Sequence, residues 1–206
     1  MFKELIKIAV PLTVGVFILV ISIFSSSKVK YVFGQSTTPA PILGQKAEVN
    51  YQLPFAGKIE PDSFLWPVKA TRDKVWVIVS IDPVKKARVL ILLANKRIVF
   101  AQNLMNRDKS ELSVSTLTKA EKYLEEAVSL EKDARKKGSD TKALLPEIAM
   151  SILKHRQLLE EILLAAPENA KPVIVKTLDV NKRLFSDIKM SLNSQGLETP
   201  ASPFEE

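Results

Sequence analysis

An uncharged run separates Lys7 from Lys28: IAVPLTVGVFILVISIFSSS, from Ile8 to Ser27. As a helix, these roughly 20 residues reach about 30 Å, the thickness of a bilayer's hydrocarbon core. Pro11 falls in the first turn, where a missing backbone donor costs little. Lys3 and Lys7 precede the run and favour a cytoplasmic N-terminus. Lys28 and Lys30 follow it and blur that vote, but a long following domain is translocated largely regardless of its charge. The expected topology puts the N-terminus inside and the rest of the chain outside the cytoplasmic membrane. The apolar core, Ile8 to Phe24, slightly exceeds a usual signal-peptide core, and no clean A-x-A cleavage site follows. Ser25-Ser26-Ser27 and Val32-Phe33-Gly34 are passable substitutes. A retained anchor and a cleaved signal therefore both stand, with a buried helix of a soluble protein as the third alternative. Residues 1–30 form this segment.

The remainder has the composition of a folded protein. Of 206 residues, 46% are hydrophobic and 26% charged, which argues against wholesale disorder. Glycine occurs only 6 times, and long stretches carry Ala, Leu, Glu, Lys and Arg, which favours helices. The chain has no cysteine, so disulfides, thiolate metal sites and thiol nucleophiles are excluded. That suits an oxidising exterior and is compatible with the cytosol. The formal net charge of +7 is spread along helical stretches among Glu and Asp. No concentrated basic stripe interleaved with aromatics appears, so nucleic acid is not an expected partner.

Residues 31–62 read as a Pro-rich linker. Ser36-Thr37-Thr38-Pro39-Ala40-Pro41 and the glycines Gly34 and Gly44 make the first half, to about Val49, a flexible tether. The second half and the residues just after it set Tyr51, Leu53, Phe55, Phe64, Leu65 and Trp66 among prolines. A peptide this apolar docks onto something. Tyr51, Phe55, Phe64 and Trp66 are the candidate strap or interaction residues. They either strap across the chain's own helical domain or bind a partner. Trp66 and Tyr51 are also suited to headgroups at a membrane surface.

Residues 63–193 read as a bundle of about five helices, an all-α fold. The first spans Pro67 to Ser80. Asp82-Pro83 caps and starts the second, which runs to about Arg107 and is apolar over a wide arc, so it belongs at the centre of the core. The third runs from Ser110 to about Lys137. It ends in Arg135-Lys136-Lys137 before Gly138, cations in the last turn followed by glycine. Ser139-Asp140 is expected to open the fourth, running to about Ala166, with Pro146 kinking it or marking its true start. A fifth extends from beyond Pro167 to about Asn193, and residues 194–206 read as a disordered tail.

Several short motifs occur in order: Tyr51-Gln52-Leu53-Pro54, Pro61-Asp62-Ser63-Phe64-Leu65-Trp66-Pro67-Val68-Lys69 and Asp82-Pro83-Val84-Lys85-Lys86-Ala87. Ala94-Asn95-Lys96-Arg97 and Lys119-Ala120-Glu121-Lys122-Tyr123-Leu124 continue them. Together, from Tyr51 to Leu130, they resemble the bacterial domain-of-unknown-function family 5667, found in exported or membrane-tethered proteins. The resemblance implies helices and an envelope setting, and no particular chemistry. Some members lie beyond a membrane span in proteins similar to anti-sigma factors; only seven residues precede the run here, too few for a cytosolic sigma-binding domain. An aspartate is common in the family where this chain has Asn95.

No residue pattern points to catalysis, a cofactor or a metal. His155 is the only histidine, and its neighbours Lys154 and Arg156 would repel a metal ion. It is expected on a helix surface or in an inter-helix hydrogen bond. Glu125-Glu126 and Glu160-Glu161 point about 100° apart on a helix and form no acid–base couple. The Glu-x-x-His di-metal signature fails because Ile152 stands three residues before His155. Phosphate-binding glycine loops and a nucleophile elbow are also missing. The expectation is a non-catalytic, tethered, extracytoplasmic module with an envelope protein as partner. An envelope sensor is the alternative, and an enzyme a remote one.

Overall fold

A computed structural model describes residues 48–204. The run Ile8–Ser27 and the linker before Glu48 lie outside the described residues. Within them are five helices and no strand: α1 Trp66–Val79, α2 Pro83–Met105, α3 Ser110–Lys136, α4 Leu144–Ala165 and α5 Lys171–Ser194. None is long and apolar enough to cross a membrane.

Local chemistry sets the helix ends. Asp82 is in extended conformation and its carboxylate accepts from Lys85 N at 2.7 Å, capping α2, with Pro83 at the start of the helix. At the end of α3, Gly138 takes φ +83°, and the Gly138 and Ser139 amides return to Arg135 and Ala134 carbonyls. That left-handed turn is one a β-carbon resists. The fourth helix starts later than Ser139-Asp140 suggests. Pro146 has no N–H, and its ring would strike the carbonyl of residue 142 inside a continuing helix. The chain instead makes a turn at Thr141, whose carbonyl accepts from Leu144 and Leu145, so Pro146 sits in the first turn of α4.

The helices form two hairpins, α2–α3 and α4–α5. Ser113 Oγ donates to Ala101 O at 2.7 Å near the turn of the first. The hairpins lie side by side in the same sense, because α2 meets α4 through Arg88–Glu147, Asn95–Ser151 and Gln102–Glu161 in ascending order. Helices α2 and α5 stand at opposite corners, and α1 packs on α2. As its wide apolar arc predicts, α2 is buried along most of its length.

Two apolar clusters fill the space among α2 to α5, and a third, Trp76, Val89, Leu92 and Leu93, joins α1 to α2. The first includes Leu90, Ala94, Leu124, Ile148, Ile152, Leu184 and Ile188. The second includes Ile98, Ala101, Leu117, Leu159, Ile162, Ile174 and Leu178. Each fully buried Leu or Ile stabilises the fold by roughly 1.5–3 kcal/mol relative to exposure.

Both ends of the described chain dock on the bundle. At the first, Val49 is buried in the first core cluster, where the strap begins. Its amide donates to Gln157 Oε1 at 3.0 Å, and its carbonyl accepts from Lys154 Nζ at 3.2 Å. The tail is ordered to Phe204. Gly196 takes φ +66°, and the Leu197 amide returns to the Leu192 carbonyl, turning the chain back over the bundle. Leu197 and Phe204 then pack on the core, and the Arg156 guanidinium lies 4.4 Å from the Phe204 ring centre. The expectation of disorder followed from Gly196, Pro200 and Pro203, which break a helix without preventing docking. Phe204→Ala is expected to lower the unfolding free energy by roughly 1–2 kcal/mol, read from urea unfolding; a free tail would leave the transition where it is.

Candidate functional site

Between the two apolar clusters each bundle helix contributes a polar side chain. Asn95 comes from α2, Glu121 from α3, Ser151 and His155 from α4, and Asn181 from α5, and all are buried. Ser151 and His155 are four residues apart and share one face of α4. Tyr51 of the strap closes the layer from outside.

The bonds form one connected set. Asn95 Nδ2 donates to the Tyr51 hydroxyl at 3.0 Å. Its Oδ1 accepts from Ser151 Oγ at 2.6 Å and faces His155 Nε2 at 3.0 Å. Because an amide oxygen only accepts, Nε2 carries a proton. His155 Nδ1 lies 2.6 Å from Glu121 Oε1, a short hydrogen bond between the imidazole and the carboxyl group. Glu121 Oε2 accepts from Asn181 Nδ2 at 3.0 Å, and the same amide nitrogen reaches the Ile152 carbonyl at 3.2 Å. Asn181 Oδ1 is left without a partner. The Tyr51 hydroxyl is pushed up to about 12, chiefly by burial, against the pull of its Asn95 bond.

Chemically the layer sets an acid against a base, but it is sealed. His155 is 0% exposed and Glu121 3%. Of the two expectations for His155, the inter-helix hydrogen bond holds and the helix-surface position does not. What such a layer does is select one packing. Any slip of a helix would leave a charged or amide group buried and unpaired, at several kcal/mol.

A second group lies where α1, α2 and the strap meet. Lys69 Nζ donates to the carbonyls of Ala56 and Ile59 at 3.1 and 3.0 Å. It sits 4.2 Å from the Phe100 ring centre and 5.3 Å from that of Trp66. Trp66 meets Phe100 edge to face at 5.7 Å. Burial is the main cause that brings the Lys69 ammonium down to about 8. Arg97 lies 4.4 Å from the Tyr123 ring and 5.7 Å from the Trp66 ring. Further along the strap, Glu60 and Asp62 pair with Arg107, and Asp62 also pairs with Lys109 at 2.6 Å.

The four strap residues thus divide. Tyr51 joins the polar layer and Trp66 the cation–aromatic group, so neither is spread at a surface. Phe55 and Phe64 stand in solvent, the latter 92% exposed. Glu125 and Glu126 are exposed, while Glu160 pairs with Arg156 and Glu161 accepts from Gln102. The Glu131–Arg135 pair forms at 2.9 Å, with Glu131 fully buried and held also by Thr141. Among the described residues no three His, Asp or Glu side chains gather as a metal site. Sequence reasoning missed Asn95, Glu121 and Asn181 as a set. The available signal was a polar residue in the apolar register: Glu121 between Leu117 and Leu124, His155 between Ile152 and Leu159, Asn181 between Leu178 and Leu184.

A family model described as a domain of unknown function, DUF5667, matches residues 58–169, more than half of the chain. The chain belongs to the DUF5667 family. The match covers α1 through α4, including Asn95, Glu121, Ser151 and His155, and ends before α5. No curated protein and no solved structure matches this DUF5667 chain.

Glu121→Leu and His155→Leu are each expected to destabilise by roughly 3–5 kcal/mol, because each strands its partner. The double variant is expected to lose less than the sum, with a coupling on the order of 2–3 kcal/mol; additive urea-unfolding energies would show that the two do not form a pair. Lys69 makes a separate prediction. Its folded value of about 8 lies below the free value of 10.5, so the unfolded chain holds more protons between them. The unfolding free energy is therefore expected to gain from this group as pH rises from about 8 towards 10.5, and that gain is expected to vanish in Lys69→Met. An identical pH slope in both proteins would refute it.

Proposed function

We propose that this DUF5667 protein is a non-catalytic, membrane-tethered helical module of the cell envelope, its bundle outside the cytoplasm, acting as a protein-interaction or scaffold unit. One contrast carries the reading. The acid, the base and the amides of the central layer are turned on one another and sealed, whereas large apolar side chains stand in water. Leu164, at the α4 end, is 81% exposed, and Val173 and Val175 on the first turns of α5 are also exposed. Groups closed from solvent cannot meet a substrate, and an apolar end of a bundle suits a protein partner. The uncharged run Ile8–Ser27 supplies the tether in this reading.

A sensor is the second reading, favoured by one observation. The strap that leads out of the tether is bonded into the layer through Tyr51 and Asn95, and its Val49 is part of the core. A displacement of the strap would open the centre of the bundle, which is the kind of two-state element a sensor needs.

The test has two parts. A C-terminal tag is expected to stay with washed membranes and to be cut by protease added to spheroplasts. A soluble tag would mean a cleaved signal, and a protected one would overturn the topology. Crosslinking in intact cells is then expected to join the bundle to one defined envelope protein. Leu164→Asp is expected to lower that yield about tenfold, the effect of losing roughly 1.4 kcal/mol of contact. An unchanged yield would count against the α4–α5 end as the contact.

A further inference from the structure

Helix α1 is turned inside out. Its inward face carries Asp73, 2% exposed, together with Lys69, Trp66 and Trp76. Its outward face carries Val68, Ile78 and Val79, of which Val68 and Ile78 are 63% and 74% exposed. Positions 68, 71 and 78 lie three and seven residues apart and so fall on one stripe, with Val75 at its edge packing on Trp76 and the α2 side chains. Thr71 and Lys74 are the polar members on that side. Phe64 just before the helix and Ile81 just after it, 92% and 93% exposed, lengthen the stripe at both ends. A face that contributes so little to the chain's own core is built to meet something else.

Two observations choose the occupant. First, the uncharged run ends at Ser27 and the described chain begins at Glu48. A connection of that length can span at most about 70 Å even when fully extended, so a bilayer holding the run is always near the bundle. Second, the rim of the stripe is basic. Lys74 is exposed on the same side of α1 and Lys85 on the first turn of α2, just past Ile81; the acids at the two ends are engaged, Asp82 by the Lys85 amide and Asp62 by Arg107 and Lys109. An apolar stripe with a cationic border suits anionic headgroups and the acyl boundary beneath them. The same charge disfavours a second copy of the chain, since pairing this face on itself would bring Lys74, mid-helix, towards its twin.

We propose that the outward face of α1, from Phe64 through Val68 and Ile78 to Ile81, docks the bundle on the surface of the anionic bilayer that holds its tether. The inference rests on the membrane-tethered reading. It adds a second, reversible contact that lays α1 along the membrane plane and leaves α5, at the opposite corner from α2, facing away. The α4–α5 end then remains open to a protein partner.

Because the chain has no cysteine, Ile78→Cys and Ser186→Cys each carry a single environment-sensitive fluorophore. Ser186 is exposed on α5 and serves as the reference. Both full-length proteins are reconstituted into phosphatidylcholine vesicles with and without phosphatidylglycerol. The label at 78 is expected to brighten severalfold on the phosphatidylglycerol vesicles, to be quenched by brominated lipid, and to weaken at high salt; the label at 186 is expected to stay as in water. Adding Val68→Asp is expected to return label 78 to the reference level without changing the thermal melt, because Val68 is outside the core. Chains that sediment with vesicles while label 78 behaves like label 186 would overturn the docking alone. Chains that fail to sediment, with both labels silent, would overturn the tether and the docking with it. A response that follows protein concentration at fixed lipid would overturn the lipid assignment in favour of self-association.

Discussion

The contact between the Glu121 carboxyl and the His155 imidazole, 2.6 Å apart at the centre of the bundle, constrains everything around it. Neither group can be buried alone, so α3 and α4 have one acceptable register at that height. The free ring nitrogen and the second carboxylate oxygen need partners too, which recruits Asn95 from α2 and Asn181 from α5. Four helices are thereby indexed at one level. The apolar clusters above and below would tolerate a slide by a turn far better, since one Leu or Ile substitutes readily for another. Stability resides in those clusters, and uniqueness in the layer between them.

The strap belongs to the same argument. It leaves its docking point at Val49, offers the Tyr51 hydroxyl to Asn95, passes its Ala56 and Ile59 carbonyls to Lys69, and ends in the Glu60 and Asp62 pairs with Arg107 and Lys109. Residues without regular structure satisfy their polar groups on the bundle's side chains, as an irregular segment packed on a core must. A strap that touched α1 alone would be fixed to one helix. This one reaches α4, α2 and α1 in succession and is bonded into the interior.

Much of this architecture was legible residue by residue. Asp82-Pro83, Gly138 and the basic triplet before it mark helix ends through chemistry that acts within one turn, and those ends fall where the pattern places them. The start of α4 was ambiguous because Ser139-Asp140 and Pro146 give competing local signals, and the proline prevails by removing a backbone donor. The tail was misread because helix breakers say where a helix stops and nothing of where the chain then goes; Arg156 and the core surface, distant in sequence, decide that. His155 was legible as an inter-helix residue but not its partners, since Glu121 and Asn181 lie 34 residues before it and 26 after it.

The sequence by itself determined the helices, their order, the all-α class and membership of the family, because each depends on periodicity, caps and short motifs. It determined equally that an uncharged run of bilayer length precedes them. Only the tertiary structure decided that polar residues from four helices and the strap would meet in one sealed layer, and that α1 would bury its charged side and show its apolar one. Both depend on which faces are brought together across the bundle. A pattern within one helix marks a face as apolar or polar, but burial is a property of what packs against it.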